Sequence, residues 1–474
     1  MSQARFEEVR DRYKMCAEEY KNPLLIASMI AEQVGMCDEN GNRFFREDGA
    51  PCLNPDKSKR TRKPTDFNLE MLAEAIIGRD WKQALGLNNS DKLFPTHAYM
   101  SEASRNGLMR EESAAPMGPS MWANVAAWSA TVGGLLGAQF NYGYEDAPFE
   151  LKDLFPVRQG VFYQGGERYV DIFGPYQPAQ ATGPGEEYPD NTMSALWVEP
   201  GPAQKYAGKI TITKETAIID ISGGQIMAKA ANGGSTLAFR ENELTIDIIT
   251  GQTNNWKLGM LPDTSATAYN TYGATIAGPV ATRTIQNTNV NPFNDVGALQ
   301  KSDEYTTNLY NPVTDFPMDV EMGIAVFPTC MAAFAEAINQ VSDFSMMNQS
   351  TINQAQPAPG QFPTDLLRML NPWRGRIRGI SSRWLQRRLT NSTTQGDPNL
   401  TAGLGLSGAA QYRWYRMDPA KAACRRQMWA PTSQSISPND WVMATQGLIG
   451  GFVWDMSTSV QMLSPYHIQQ NKAV

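Results

Sequence analysis

The stretch from Lys209 to Gly251 constrains the fold more than any other part of the chain. It opens on an alternating run, Ile210-Thr211-Ile212-Thr213, that reads as the end of a strand. Lys214-Glu215-Thr216 then leads into a long run with helical spacing. Ile219, Ile226, Ala230, Leu237, Leu244 and Ile248 fall on or near one face. Glu215 and Asp220 suit the positive end of a helix dipole, and Gly251 is placed to stop the helix. Two glycine pairs, Gly223-Gly224 and Gly233-Gly234, interrupt the pattern. Each interior glycine costs about 1 kcal/mol relative to alanine. A helix that carries them must be held by something it packs on.

At 474 residues the chain is long enough for about two to four domains. With 39 glycines and 30 prolines it must contain many turns and long loops. The formal net charge of -7 argues against a general polyanion binder. The charge is unevenly spread. Gln361 to Ala430 holds twelve Lys/Arg against three Asp/Glu, whereas Pro119 to Gly360 holds eleven against twenty-four. Regions of opposite sign suggest surfaces that meet, within a chain or between copies; solvated loops of differing composition are the plainer reading. The five cysteines (Cys16, Cys37, Cys52, Cys330, Cys424) are widely spaced, as in a reducing compartment without a disulfide framework. No signal peptide is expected, since charge begins at Arg5.

In chain order, residues 1–21 and Leu24 to Val34 read as helices. Residues 35–65 read as a loop with a basic cluster, Lys57 to Lys63, and 66–85 as a third helix. The cluster could meet nucleic acid phosphates, but a solvated or acid-paired loop is the simpler reading. The uncharged run Met117 to Gly143 reads as a helix over 122–142, buried at an interface rather than spanning a membrane. A hairpin follows. Val161-Phe162-Tyr163 and Tyr169 to Phe173 go out; Leu196-Trp197-Val198 and Ile210-Thr211-Ile212 return, around a Pro/Gly tip at 174–192. Such a ribbon cannot bury a core of its own and must lie on something, most simply another subunit. Residues 252–312 read as irregular and polar. Met322 to Phe327 reads as a buried strand, Cys330 to Val341 as a helix, and 345–363 as a loop. Arg376 to Ile380 and Trp384-Leu385 read as strand pieces. After a loop at 391–410, Gln411 to Met417 and Cys424 to Trp429 read as strands around the turn Asp418-Pro419. Leu448, Phe452, Trp454 and Met456 mark a long half-buried strand. The class is α+β.

The search for chemistry finds little. His97 and His467 have no partner at metal or triad spacing and read as structural. Gly403 to Gly408 matches GxGxxG by letters but follows no strand, and reads as a flexible loop. Gly201 to Lys209 imitates a phosphate loop with the wrong spacing. The reading assigns no catalytic residue, no metal and no cofactor.

The order of the pieces resembles the major capsid proteins of tailed bacteriophages, with the HK97-type fold. Local strings carry the resemblance: Tyr142-Gly143-Tyr144-Glu145 followed by Leu154-Phe155-Pro156; Asp220, Gly233 and Glu241 along the long helix; Val326-Phe327-Pro328; Asn371-Pro372-Trp373-Arg374-Gly375-Arg376; and Trp414, Asp418-Pro419 and Trp429. It covers about 140–474, leaving the arm and the 252–312 insertion outside. It implies an N-terminal arm at 1–157, an E-loop hairpin at 158–213, a spine helix of the P-domain plus insertion at 214–312, an A-domain at 313–426 and a closing P-domain strand at 427–474. It also implies a structural, non-enzymatic role: hexamers and pentamers closing an icosahedral shell around double-stranded DNA, in a virion assembled in the host bacterial cytoplasm. The DNA would be enclosed without sequence-specific binding and without a membrane. A decoration, portal or scaffolding protein would be a further partner. Contacts between copies are expected at Tyr163, Tyr169, Phe173, Tyr176, Tyr188, Trp197, Arg374 and Arg376. Some members crosslink through an E-loop lysine. Between Arg158 and Gln204 this chain has none, so no such crosslink is expected; some members shed an N-terminal segment to a phage protease, and that is not expected here either. The alternatives are an encapsulin-type compartment shell and a cytosolic α+β hydrolase with a carboxylate pair.

Overall fold

The computed structural model describes residues 36–37, 54–55, 119–161, 167–170, 196–213, 224–252, 256–260, 265–277, 282–293, 297–311, 315, 317–318, 320–340, 343–345, 368–370, 373–392, 402–436 and 448–473. The expected helices at 1–21, 24–34 and 66–85, the basic cluster, His97, the tip at 174–192 and the helix start at 214–223 lie outside them.

The first described elements are β1 (Met36–Cys37) and β2 (Asn54–Pro55), which pair antiparallel with each other inside the stretch expected as loop. Then come α1 (Pro119–Glu145), β3 (Val157–Gln159), β4 (Tyr169–Val170), β5 (Leu196–Glu199), β6 (Gln204–Thr213) and α2 (Gly224–Thr250). The expected polar insertion holds β7 (Trp256–Met260), β8 (Thr267–Tyr269), β9 (Thr275–Ala277), β10 (Thr282–Thr284), β11 (Thr288–Val290) and α3 (Gly297–Thr306). Next are β12 (Ile324–Pro328), α4 (Ala332–Gln340), β13 (Asp343–Ser345), β14 (Arg368–Leu370), β15 (Arg378–Ser382) and α5 (Arg383–Thr390). The chain closes with β16 (Trp414–Met417), α6 (Pro419–Ala422), β17 (Ala423–Ile436), β18 (Leu448–Met462) and β19 (Ile468–Lys472). The class is α+β, as the sequence reading has it.

Two compact units emerge. The first takes in the chain up to Pro148, Lys205–Phe239 and Trp429–Ser457; the second takes in Phe149–Gln204, Arg240–Met428 and Thr458–Val474. In the first unit the glycines of α2 find their reason. A Cβ on Gly234 would stand 2.0 Å from the Phe140 carbonyl oxygen, and one on Gly143 would stand 2.1 Å from that of Ala231. Helices α1 and α2 therefore meet backbone to backbone, which only glycine permits. Gly233 and Gly208 lie flat against the Trp454 indole, with a Cβ at either position within 2.9 Å of its ring atoms. Phe140 packs 6.0 Å, centroid to centroid, from both Phe452 and Trp454. Strand β6 runs beside β18 with its residues alternating between exposed and half-buried.

The second unit is built on a five-stranded sheet in the order β11-β19-β16-β12-β15. β12, apolar throughout, runs parallel to β15 and antiparallel to β16. Below it, Val326, Tyr415, Met417, Leu385, Leu389, Ile246, Ile249 and Trp256 form one core. A second cluster gathers around Phe293, whose ring meets Phe327 and Trp414 edge-on, each at 5.1 Å. A separate sheet runs β4-β5-β7-β8. The last turns of α2 are buried on nearly every side, so their polar groups need partners. Glu241 faces Arg425 at 2.9 Å, Asn242 accepts from the Leu151 amide, and Asp247 accepts from Arg388 at 2.8 Å. Gly251, at φ +72°, ends the helix. Its own amide reaches Ile248 and the Gln252 amide reaches Asp247, which satisfies the terminal carbonyls.

Four expectations are corrected. Ile210 to Ile212 do not return beside the outgoing strand: β4 pairs with β5, but β6 pairs with β18. Pro200 and Pro202 supply no amide to a ladder, so the register is reset between β5 and β6. Trp384-Leu385 belongs to helix α5, which starts where Ser382 accepts from the Leu385 amide at 3.4 Å and buries Leu385 and Leu389 one turn apart. The 252–312 stretch is regular. Its strands are three to five residues long, and α3 turns a single large apolar residue, Leu299, inward, so neither period rises above the polar background. The glycine loop at 403–408 is fastened to its neighbour. The Leu404, Gly405 and Leu406 amides donate to the carbonyls of Arg388, Asn391 and Leu389 at the end of α5.

Candidate functional site

Of the residues expected at contacts between copies, Tyr163, Phe173, Tyr176 and Tyr188 lie outside the described residues. The other four fall into two groups on different sheets of the second unit. Tyr169 and Trp197 sit on the paired strands β4 and β5, with Tyr169 opposite Val198 and Val170 opposite Trp197. Arg374 and Arg376 sit on the turn that leads into β15.

Trp197 is a core residue rather than a surface anchor. Its side chain is buried, its strand partner is Gly259, and a Cβ on Gly259 would stand 2.2 Å from the indole. The glycine leaves the space that the ring fills. The guanidinium of Arg168 covers the indole at 4.3 Å. Within the chain, Trp197 packs in the sheet between Gly259 and Arg168.

Tyr169 is half-buried. Its hydroxyl donates to Glu167 at 3.2 Å, and the Arg158 guanidinium lies 5.3 Å over its ring. Burial, then Cys424 and Glu167, push its phenol up to about 12. Burial also pushes the Cys424 thiol up to about 11. At neutral pH both groups keep their protons, so this corner holds rather than reacts.

Arg426 completes it. This arginine is wholly buried, yet its fork is filled. Nη2 donates to Glu167 at 2.9 Å, Nε to the other Glu167 oxygen at 3.4 Å, and Nη1 to the Gly201 carbonyl at 3.1 Å. Glu167 also accepts from the Val161 amide. The Gly160 amide donates to Gln427 at 3.0 Å, continuing the parallel pairing of β3 with β17. The Gly201 amide donates to Gln461 at 3.0 Å. Beside this buried network Val157 is 49% and Val161 72% exposed. These residues were not singled out from the sequence. Arg425-Arg426 between Cys424 and Met428 was the available signal, because adjacent arginines in an otherwise buried strand require buried acids.

The second group is open. Gly375, at φ +80°, makes the turn, and the amides of Arg376 and Ile377 both donate to the Trp373 carbonyl. Arg374, Arg376 and Arg378 are exposed. Arg376 lies 5.6 Å over the Trp373 ring and 3.6 Å from Glu321, a pair exposed on both sides and therefore weak. Beneath it Arg416 is buried and donates to the Met322 carbonyl at 3.0 Å and to Asp303. Burial lowers its pKa, and Asp303 works against that shift.

Among the described residues, no group of three or more His, Cys, Asp or Glu side chains could hold a metal ion. Among them, too, no helix is long and apolar enough to cross a membrane.

No family model and no curated protein matches the chain. Solved structures do. A chain from the capsid of the cyanophage P-SCSP1u is 13% identical over 68% of this chain and 87% of its own, with a TM-score of 0.39. One from the mature capsid of bacteriophage PhiM1 is 9% identical over 68% and 86%, at 0.36. One from a virus-like particle of Pyrococcus furiosus is 10% identical over 71% and 96%, at 0.34.

Proposed function

We propose that this chain is the structural major capsid protein of a tailed phage, assembling with copies of itself into an icosahedral shell around double-stranded DNA. The observation that supports the reading is the order of elements. A root at β3 to β5 comes first, then the 27-residue helix α2, then the sheet around β12, and last two strands of 14 and 15 residues, β17 and β18. This is the order that the capsid resemblance implies. On this reading 1–157 is the arm, 158–213 the E-loop, 214–312 the spine helix with its insertion, 313–426 the A-domain and 427–474 the closing P-domain strand. The role is structural rather than enzymatic. Hexamers and pentamers, a portal or scaffolding partner and assembly in the bacterial cytoplasm belong to the same proposal.

The exposed valines at the E-loop root and the exposed arginines of the 374–378 turn are surfaces for neighbouring copies. Deleting residues 174–192 tests the reading. The expected product is a soluble protein that forms no closed shells in negative stain, while the full chain forms shells that protect DNA from nuclease. Normal particles from the deletion would overturn the E-loop assignment.

A further inference from the structure

One end of the five-stranded sheet carries two cations that meet no acid. β16 pairs antiparallel with β19, with Trp414 opposite Asn471 and Tyr415 opposite Gln470. β19 pairs parallel with β11, with Gln470 beside Thr288 and Lys472 beside Val290. One step before Trp414, Arg413 therefore comes level with Lys472. Side chains alternate between the faces of a sheet, so Arg413, Lys472, Tyr415, Gln470 and Thr288 share a face. The Gln470 side-chain amide donates to the Tyr415 hydroxyl at 3.4 Å, as that alternation requires. Neither Arg413 nor Lys472 belongs to an ion pair among the described residues. They act on each other instead. Burial, then the Arg413 charge, holds the Lys472 pKa below its ordinary value, and the Arg413 charge also reaches the buried Tyr415 hydroxyl. The Arg413 Nε is shut off from solvent without a hydrogen-bond partner, and so is the Thr288 hydroxyl. A buried donor without an acceptor is costly. The corner nevertheless opens outward: Arg413 and Lys472 are half-buried, and Val290 beside Lys472 is 60% exposed.

We propose that Arg413, Lys472 and the Thr288 hydroxyl form a binding site for a phosphate-class oxyanion free in solution. All three offer donors and two carry full charge, which suits an acceptor-only ligand with more than one negative charge. The forked guanidinium can take two oxygens while the ammonium takes a third. A bound oxyanion supplies the acceptor that Nε and the Thr288 hydroxyl lack, and it relieves the repulsion between the two cations. The site lies within a single chain, so it stands apart from the shell reading.

The test follows the melting temperature of the full-length chain as sodium phosphate replaces sodium chloride at equal ionic strength, near neutral pH. Arg413→Gln, Lys472→Gln and Thr288→Val are treated alike, each against its own value in chloride, so that a lower starting stability cancels. The wild type should show a saturable rise. Arg413→Gln and Lys472→Gln should each raise the half-saturating phosphate concentration at least about tenfold, the scale of one lost charge-assisted hydrogen bond. Thr288→Val should raise it by a smaller factor. Lys301→Gln, which removes an exposed lysine on α3, should leave it unchanged. No saturable rise in the wild type, or an unchanged half-saturation in both charge variants, overturns the site. So does a short DNA oligonucleotide that raises the melting temperature where phosphate does not, because the ligand would then be a nucleic-acid backbone and not a free oxyanion.

Discussion

His467 is fully buried, with Nδ1 2.9 Å from the Ser464 hydroxyl and Nε2 meeting no hydrogen-bond partner among the described residues. Burial, then the nearby Lys421 charge, holds its pKa down at about 4 against an ordinary value of 6.5. The unfolded chain therefore takes up a proton between those values while the folded chain resists it. The stabilising effect is complete above pH 6.5 and fades as the pH falls toward 4, by on the order of 2 kcal/mol at pH 5. Replacing His467 with Gln should flatten the fall in melting temperature between pH 7 and pH 5. An unchanged slope would show that other groups carry the acid sensitivity. The Arg425–Glu241 pair is harsher. Glu241 is wholly buried, and Arg425 also donates to the Lys152 carbonyl at 3.2 Å. Glu241→Gln leaves a buried charge behind and should cost about 3 kcal/mol or more in denaturant unfolding. Glu241→Leu with Arg425→Met together should cost clearly less than Glu241→Gln; equal losses would contradict the pair.

At the scale of elements, α2 and its glycines test the packing argument. A glycine-to-alanine change in an exposed helix gains about 1 kcal/mol. Gly234→Ala should instead destabilise by about 1–3 kcal/mol, because the new methyl meets the Phe140 carbonyl. A melting temperature equal to or above that of the wild type would show that α1 and α2 do not cross there. The helix and strand β18 were legible in the sequence because each repeats its period over many residues, β12 because it is an unbroken apolar run, and the stop because Gly251 takes a positive φ. The short strands between Trp256 and Val290 were not, since three residues carry no measurable alternation. Trp384-Leu385 was misread because two apolar residues fit a strand as well as a helix, and only the Leu385–Leu389 spacing separates them. The candidate contact residues were legible only as composition. Trp197 was expected at a contact between copies, and its cross-strand Gly259 shows where the ring goes within the chain; the buried partners of Arg426 lie too far along the chain for spacing to reveal them.

At the scale of the molecule, the proposed shell gives the acidic excess of 119–360 and the basic excess of 361–430 a role as complementary surfaces between copies. Each contact need only be modest, because a closed shell repeats it many times and every copy is held at several places at once. The deletion of 174–192 belongs to this scale, since it should leave the monomer folded and remove only closure. The central claim is tested most directly by electron microscopy of the purified full-length chain. The account predicts closed particles of uniform diameter containing nuclease-protected DNA. A chain that stays monomeric at every concentration and ionic strength tried would contradict it.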